Sequence, residues 1–193
     1  MKKMTTALAF GLDIKTLVLA VSCLALTALG AQVRIPLWFT PVPLTGQVFG
    51  VLCTGLLLHS KSAALVQSVY VSFGVLGIPW FAMGGSGVSY LFGPTGGYLI
   101  GFILAAYVIA ALRFRSARAV AAAAGVLVIY AVGTIWFAGY LASLMHLSVP
   151  AAFQKALALG VAPFVTGDVL KILLAVSVSV IVSPRSGSPG TTR

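Results

Sequence analysis

Long uninterrupted runs of apolar residues make up most of the chain, and short polar or turn-forming segments separate them. A helix needs roughly 20 mostly apolar residues, with a range of about 17–25, to cross the hydrocarbon core of a bilayer. The pattern predicts an all-α integral membrane protein with six transmembrane helices, at residues 16–33, 42–58, 62–78, 96–112, 120–141 and 161–182. The second and third helices are short and need close neighbours or a locally thin bilayer.

The domain organisation follows from the same pattern. One domain, residues 1–183, contains all six predicted helices, and a polar tail at 184–193 is rich in Ser, Pro and Gly and is predicted to be disordered. The basic N-terminus followed by an apolar stretch resembles a signal peptide. Asp13 and Lys15, however, lie directly before the apolar core, so we predict a first helix that is retained.

The segment between the third and fourth predicted helices, residues 80–98, is rich in glycine and aromatic residues and contains no charge. Irregular backbone at membrane depth is tolerated only where it is buried in protein or lines a wet cavity. We therefore expect this segment to fold over the bundle as a lid. The alternative is an aromatic belt at the membrane surface, where Trp and Tyr are common.

Composition and charge agree with a membrane protein. Hydrophobic residues make up 60% of the chain and charged residues only 7%, whereas a soluble domain has roughly 25% charged residues. The net charge of +10 does not indicate nucleic-acid binding, because the basic residues lie at the ends of apolar runs. Nine of them fall in predicted cytoplasmic segments and two, Arg34 and Lys155, in predicted outer segments, which predicts that both termini are cytoplasmic.

Two charged residues lie inside the last predicted helix. Asp168 is the only acidic residue within a predicted span, and Lys171 follows three positions later. Residues three apart lie on the same face of a helix, so their side chains can meet. Charged residues at the centre of a membrane helix cost roughly 2.5–3.5 kcal/mol each on insertion scales and usually mark function. We favour a ligand site over a purely structural ion pair, which contributes little net stability.

A paired Asp and Lys are together neutral, so they are a poor trap for a bare ion. They suit a neutral group that offers both N–H donors and a carbonyl oxygen, such as a urea. Asp168 then accepts from the N–H groups and Lys171 donates to the oxygen. The spacing of the pair is compatible with such a ligand and does not by itself identify one.

The sequence gives little support to other classes of function. The chain has no P-loop motif and only two acidic residues in all, so ATP and magnesium sites are not expected. The two cysteines are separate, and no metal or other cofactor is expected. The best rival from another class is a rhomboid-like intramembrane serine protease, because Gly84-Gly85-Ser86-Gly87 has a G-x-S-G shape. The histidines, His59 and His146, fall outside the predicted spans, and we expect no enzyme activity.

Three blocks of sequence, in this order, are similar to motifs of the BioY family of biotin transporters, which are substrate-binding subunits (S-components) of energy-coupling factor (ECF) transporters. The blocks are Pro41-Val42-Pro43-Leu44-Thr45-Gly46-Gln47, then residues 91–102, then Gly167-Asp168-Val169-Leu170-Lys171. The resemblance implies a six-helix fold that captures extracellular biotin with high affinity in the outer half of the membrane, under a lid. The expected location is the bacterial cytoplasmic (inner) membrane.

The resemblance also implies binding residues. Asp168 and Lys171 match the family's Asp and Lys, and we expect them to bind the ureido ring of biotin, although the opposite orientation, with Lys171 on the carboxylate, stays open. Arg34 is a speculative partner for the carboxylate, with interfacial snorkelling as its alternative role. Weaker candidates for the pocket wall, each equally suited to simple packing, are Gln47, Trp80, Ser86, Ser89 and Tyr98.

Partners follow from the resemblance as well. They are biotin, the lipid bilayer, a transmembrane coupling protein and a pair of ATPases, although some family members take up biotin alone. The family's Ala-x-x-x-Ala pattern on the first helix is missing here; Thr27 and Ala31 form a small-xxx-small pair instead. The alternative within the class is an S-component for another vitamin, thiamine or riboflavin.

Overall fold

The structure, a computed structural model, describes residues 13–114 and 116–183. Within these residues the fold is mostly helical, and the predicted tail at 184–193 lies outside them. The α-helices are α1 (Ile14–Gln32), α2 (Gln47–Leu57), α3 (Ser60–Val75), α4 (Val88–Leu91), α5 (Gly96–Leu112), α6 (Arg118–Met145), α7 (Val149–Gly160) and α8 (Val165–Val182). Two short strands, β1 (Arg34–Ile35) and β2 (Leu44–Thr45), pair antiparallel between α1 and α2.

Each predicted membrane helix overlaps one helix of the structure: α1, α2, α3, α5, α6 or α8 in turn. The bounds predicted for the fourth helix, 96–112, are those of α5. Among the described residues, α1, α6 and α8 are long and apolar enough to cross a membrane, while α2 and α5 are apolar but shorter. The prediction of a helical bundle is therefore confirmed.

The second predicted helix begins five residues too early. We expected it from residue 42, but α2 begins at Gln47. Pro43 disfavours a helical conformation at the residue before it, and β2 pairs with β1, with Thr45 opposite Arg34. The residues before Gln47 consequently form a bend and the strand β2 instead of the first turns of the helix.

The sequence reading also missed one helix. The apolar pattern predicts an outer loop at residues 149–160. They form α7 instead, which begins after Ser148 and has Pro150 in its first turn. Both residue types are typical of a helix N-terminus. The last predicted helix, expected from residue 161, begins at Val165, because a turn that contains Pro163 separates α8 from α7.

A buried polar cluster joins α1, α2 and α3. The Gln67 amide donates hydrogen bonds to the hydroxyls of Thr27, at 3.1 Å, and Thr54, at 2.8 Å. All three residues have no exposed surface, and neither does Ala31. Interhelical hydrogen bonds and small residues hold helices together in a membrane. The Thr27 and Ala31 pair therefore packs inside the bundle and is not part of an outer surface.

Close packing between α5 and α6 fixes one wall of the bundle. A Cβ atom built on Gly133 of α6 would lie 2.4 Å from the ring of Tyr98 on α5, whereas one on Gly139 of the same helix meets nothing within 4 Å. Gly133 is thus needed for the position of Tyr98, and Gly139 is not.

We expect Gly133→Ala to lower the free energy of unfolding by about 1–3 kcal/mol, because overpacking displaces the Tyr98 ring. Gly139→Ala is the matched control, and its higher helix propensity predicts unchanged or slightly increased stability. Thermal unfolding of the two variants in one detergent measures the difference. Equal melting temperatures would show that α6 moves away from α5 without cost.

Candidate functional site

The predicted ion pair forms on the first two turns of α8. The Nζ of Lys171 lies 2.7 Å from Oδ1 of Asp168, and the two side chains are only 14% and 4% exposed. A carboxylate in the first turn of a helix is stabilised by the positive end of the helix dipole. The pair is therefore formed locally, by one helix, and is buried by its neighbours.

Tyr130 of α6 completes the pair. Its hydroxyl donates a hydrogen bond of 2.6 Å to Oδ2 of Asp168. This residue was not among the predicted site residues, because it is 38 positions away from Asp168 and only the packing of α6 against α8 brings the two together. The signal in the sequence was a tyrosine hydroxyl in the middle of an apolar helix.

The three groups keep unused hydrogen-bonding positions. A carboxylate accepts about four hydrogen bonds and an ammonium group donates three. Two of the acceptor positions of Asp168 are used, by Lys171 and Tyr130, and one donor of Lys171 is used by Asp168. The pair can thus still accept about two hydrogen bonds and donate about two to a neutral ligand.

A second polar group approaches from α2. Gln47, at the first position of that helix, donates a hydrogen bond of 2.8 Å to the hydroxyl of Tyr70 and accepts one of 3.0 Å from Thr45. Tyr70 in turn donates to the backbone oxygen of Trp80. These contacts fix the orientation of the Gln47 amide. They also connect it to Trp80, the first residue of the predicted lid segment.

The ion pair and Gln47 line one pocket, which contains about 560 Å³ of space not filled by protein atoms, part of it open to solvent. Its walls are largely apolar and aromatic, which is usual for small-molecule sites. The lining residues are Val42, Pro43, Thr45, Gln47, Val48, Ala82, Tyr90, Thr95, Tyr98, Leu99, Phe102, Ile129, Tyr130, Gly160, Phe164, Asp168 and Lys171.

A second, more open pocket adjoins the first and contains about 700 Å³. The two share Pro43, Tyr90 and Thr95, so they are adjacent. We call this second pocket the vestibule. Its lining residues are Pro41, Pro43, Met83, Gly85, Ser86, Ser89, Tyr90, Gly93, Pro94 and Thr95.

Six of the eight predicted site residues line one of these two spaces. The pocket is lined by Asp168, Lys171, Gln47 and Tyr98, and the vestibule by Ser86 and Ser89. The two other candidates line neither.

Trp80 stacks on Tyr70, with ring centroids 5.3 Å apart, and donates to its backbone oxygen. Arg34 is exposed on β1, opposite Thr45. Arg34 therefore lies opposite a pocket residue, and Trp80 contacts Tyr70, which hydrogen-bonds to the pocket residue Gln47; neither lines the pocket.

The sequence reading missed most of the pocket wall. The residues without a specific signal are apolar side chains such as Leu99, Phe102 and Phe164, which look like ordinary core or lipid-facing residues in a membrane helix. Tyr98 was predicted, and its hydroxyl donates a hydrogen bond of 2.9 Å to the backbone oxygen of Gly160 at the end of α7. Within the described residues there is no cluster of His, Cys, Asp or Glu that suits a metal ion.

Comparisons with known proteins agree on one family. A model described as the BioY family matches residues 1–187. A protein of Pyrococcus horikoshii, named a probable biotin transporter BioY, is 40% identical over 155 residues, which are 80% of this chain and 88% of that protein. The biotin transporter BioY of Thermotoga maritima is 37% identical over 155 residues, 78% of this chain and 85% of its own.

A solved structure has the same fold. The crystal structure of the S-component for biotin from an ECF-type ABC transporter matches with a TM-score of 0.76, and the match covers 94% of this chain and 97% of that one at 23% identity. The sequence motifs, the fold and the relatives agree, and the chain belongs to the BioY family.

Proposed function

We propose that this protein captures biotin from outside the cell, with high affinity, as the S-component of an ECF-type transporter. The observation that carries the proposal is the buried group of Asp168, Lys171 and Tyr130 in a largely apolar pocket. Membership of the BioY family and relatives named as biotin transporters support it.

The ureido ring of biotin fits the free hydrogen-bonding positions of this group. Its two N–H groups are donors for the carboxylate of Asp168, and its carbonyl oxygen is an acceptor for the ammonium group of Lys171. Hydrogen bonds to charged groups contribute about 1.5–3 kcal/mol each. Because the ion pair is neutral as a whole, the ligand does not need a charge of its own at this end.

The apolar walls suit the rest of the ligand. Val48, Leu99 and Phe102 offer hydrocarbon surface to the thiophane ring and the alkyl chain, and burial of apolar area contributes about 25 cal/mol per Å². Tyr98 belongs to the same wall, and Gln47 is a further hydrogen-bonding group for the ligand. Trp80 acts through Tyr70 on Gln47 and does not touch the ligand.

Arg34 has a separate role in this proposal. Its exposed side chain on β1 snorkels to lipid headgroups at the membrane surface. We place the lid in the segment between α3 and α5, which contains α4 and most of the residues that line the vestibule, among them Ser86, Ser89 and Tyr90.

Family and apolar helices make the chain a multi-pass membrane protein. We propose six spans, formed by α1, α2, α3, α5, α6 and α8, with both termini cytoplasmic in the cytoplasmic membrane. The support is the charge distribution: the described basic residues on the proposed inner side include Lys15, Lys61 and Arg118, and those on the outer side are Arg34 and Lys155. A positive-inside excess sets orientation.

The proposed partners are a transmembrane coupling protein and a pair of ATPases, which supply the energy that this chain has no motif to obtain. The fold shared with an S-component of an ECF-type ABC transporter supports this part. Co-purification from native membranes, followed by identification of the bound subunits, tests it. A chain that is purified alone and still accumulates biotin in vesicles would contradict it.

The ligand is tested by isothermal titration of the purified protein in detergent with biotin, thiamine and riboflavin. We expect biotin to bind with a dissociation constant below about 1 μM, a binding free energy of about −8 kcal/mol or better, and the other two vitamins to give no heat of binding. Tight binding of thiamine or riboflavin, and not of biotin, would assign the protein to the other vitamin.

Tyr130 offers a prediction about the site itself. Tyr130→Phe keeps the ring and removes the hydrogen bond to Oδ2 of Asp168, so the carboxylate loses part of its orientation. We expect biotin affinity to fall about tenfold, the value of one hydrogen bond to a charged group. Tyr107→Phe, at a half-exposed position on α5, is the control and leaves affinity unchanged. An unchanged dissociation constant in Tyr130→Phe would remove Tyr130 from the site.

A serine protease is not supported. Ser86 lines the vestibule, but neither His59 nor His146 lines the pocket or the vestibule. The glycines of the Gly84-Gly85-Ser86-Gly87 motif have structural reasons of their own: Gly84 and Gly87 have positive φ angles of 68° and 86°, and a Cβ on Gly85 would lie 2.2 Å from the Tyr90 ring.

A further inference from the structure

The described lining of the vestibule offers no cation to a ligand that carries a carboxylate. Among the residues that the structure describes, none that lines the vestibule carries a charge; its polar side chains are the hydroxyls of Ser86, Ser89, Tyr90 and Thr95. In the pocket, the only described charges are those of Asp168 and Lys171, which neutralise each other. Arg34 and Lys155, the described cations of the proposed outer side, line neither space.

The ion pair determines which end of the ligand lies deep. A carboxylate beside Lys171 would also lie beside Asp168, whose oxygen is 2.7 Å from the same ammonium group. Like charges at such distances repel strongly in a poorly hydrated site. A neutral urea meets no such repulsion. The valerate carboxylate of biotin is therefore directed away from the pair, toward the vestibule.

The vestibule lies beside the pocket. Pocket and vestibule share Pro43, Tyr90 and Thr95, and the vestibule is the more open of the two, with about 700 Å³ of space, part of it open to solvent. A carboxylate that enters it meets hydroxyl groups and no cation along this described lining. These hydroxyls donate to an amide oxygen as well as to a carboxylate oxygen, so an amide loses only the charge assistance of those hydrogen bonds.

We propose that the site recognises biotin by its ring system and not by its carboxylate, so that it also binds biotin amides, including conjugates in which the carboxyl group is joined to an alkylamine such as the side chain of lysine. This inference rests on the proposed function and extends its substrate class. An amide keeps the hydrogen-bonding ability that the vestibule hydroxyls need, and an alkyl substituent on its nitrogen extends into the open space.

Three ligands test the proposal in isothermal titration: biotin, its primary amide and its N-butyl amide, with 2-iminobiotin as the ring-modified control. We expect both amides to bind within about tenfold of biotin, because an amide loses only the charge assistance of its hydrogen bonds to the vestibule hydroxyls, and 2-iminobiotin to bind far more weakly. Amides that bind more than 100-fold more weakly than biotin would overturn this inference and leave the proposed function intact. Failure of biotin itself to bind would overturn the proposed function and this inference with it.

A charge introduced into the vestibule gives a second readout. Ser89, exposed on α4, lines it. We expect Ser89→Arg to increase the ratio of the amide's dissociation constant to that of biotin by about tenfold, because only the acid has a negative charge that the guanidinium attracts, while Ser89→Gln, a neutral variant with a similarly long side chain, leaves the ratio unchanged. An unchanged ratio in Ser89→Arg would show that the carboxylate lies elsewhere and would overturn the inference.

Discussion

Asp168→Asn is expected to weaken biotin binding by about 100-fold. Asp168 is 3% exposed, and its carboxylate accepts hydrogen bonds from Lys171 and Tyr130. An amide in its place accepts at one atom only, and its NH2 group faces a donor at the other. The loss corresponds to about 2.7 kcal/mol, or one to two hydrogen bonds to a charged group. Isothermal titration in detergent measures it.

The chain provides a matched control, because Asp13 is its only other acidic residue. Asp13 is fully exposed, and its side chain caps α1 by accepting a hydrogen bond of 2.8 Å from the backbone N–H of Thr16. Hydrogen bonds from the Thr16 side chain and backbone lower the pKa of this carboxyl. Asparagine is an equally good cap, so Asp13→Asn should bind biotin normally. Equal affinities in both variants would contradict a role for Asp168 in binding.

The second large effect is expected for Lys171→Met, which removes the cation and leaves the buried carboxylate of Asp168 without its partner. Breaking one side of a buried pair costs about 3–5 kcal/mol of stability. We therefore expect both a lower melting temperature and a loss of biotin affinity of about 100-fold, since a charged donor for the ligand's carbonyl oxygen is gone. Lys61→Met, at an exposed position on α3, is the control and should change neither quantity.

A double variant separates folding from binding. Asp168→Asn combined with Lys171→Met removes both charges, so no unpaired charge remains in the bundle. Replacing a whole buried pair by neutral groups is often neutral for stability. We expect the melting temperature to recover toward that of the unchanged protein while biotin affinity stays at least about 100-fold lower. Recovery of both would show that the pair is structural and that the ligand binds elsewhere.

Local features of the site were predictable from the sequence. The ion pair follows from i,i+3 spacing on a single helix, and the bounds of α5 follow from one apolar run after a Gly-rich turn. Tyr130 was not predictable, because its contact with Asp168 spans 38 residues and depends on how α6 packs against α8. The same reason applies to apolar pocket residues such as Phe102, whose sequence context is that of any membrane helix.

The differences at helix boundaries have local causes that compete with apolar patterning. Pro43 and strand pairing delay the start of α2, and Val42 and Thr45, which precede the helix, line the pocket. Around α7, the Ser148 and Pro150 signals for a helix start were present but lay outside a long apolar run. The apolar pattern thus predicts the bundle, whereas the turns and strands between the helices determine which residues line the pocket.

The account depends on a neutral ring that lies against the Asp168 and Lys171 pair. A structure of the protein with biotin bound tests this directly. We predict a ureido N–H nitrogen within about 2.7–3.2 Å of an Asp168 carboxylate oxygen, the ureido oxygen at a similar distance from the Nζ of Lys171, and the carboxylate in the vestibule. Biotin with its carboxylate on Lys171, or outside this pocket altogether, would contradict the account.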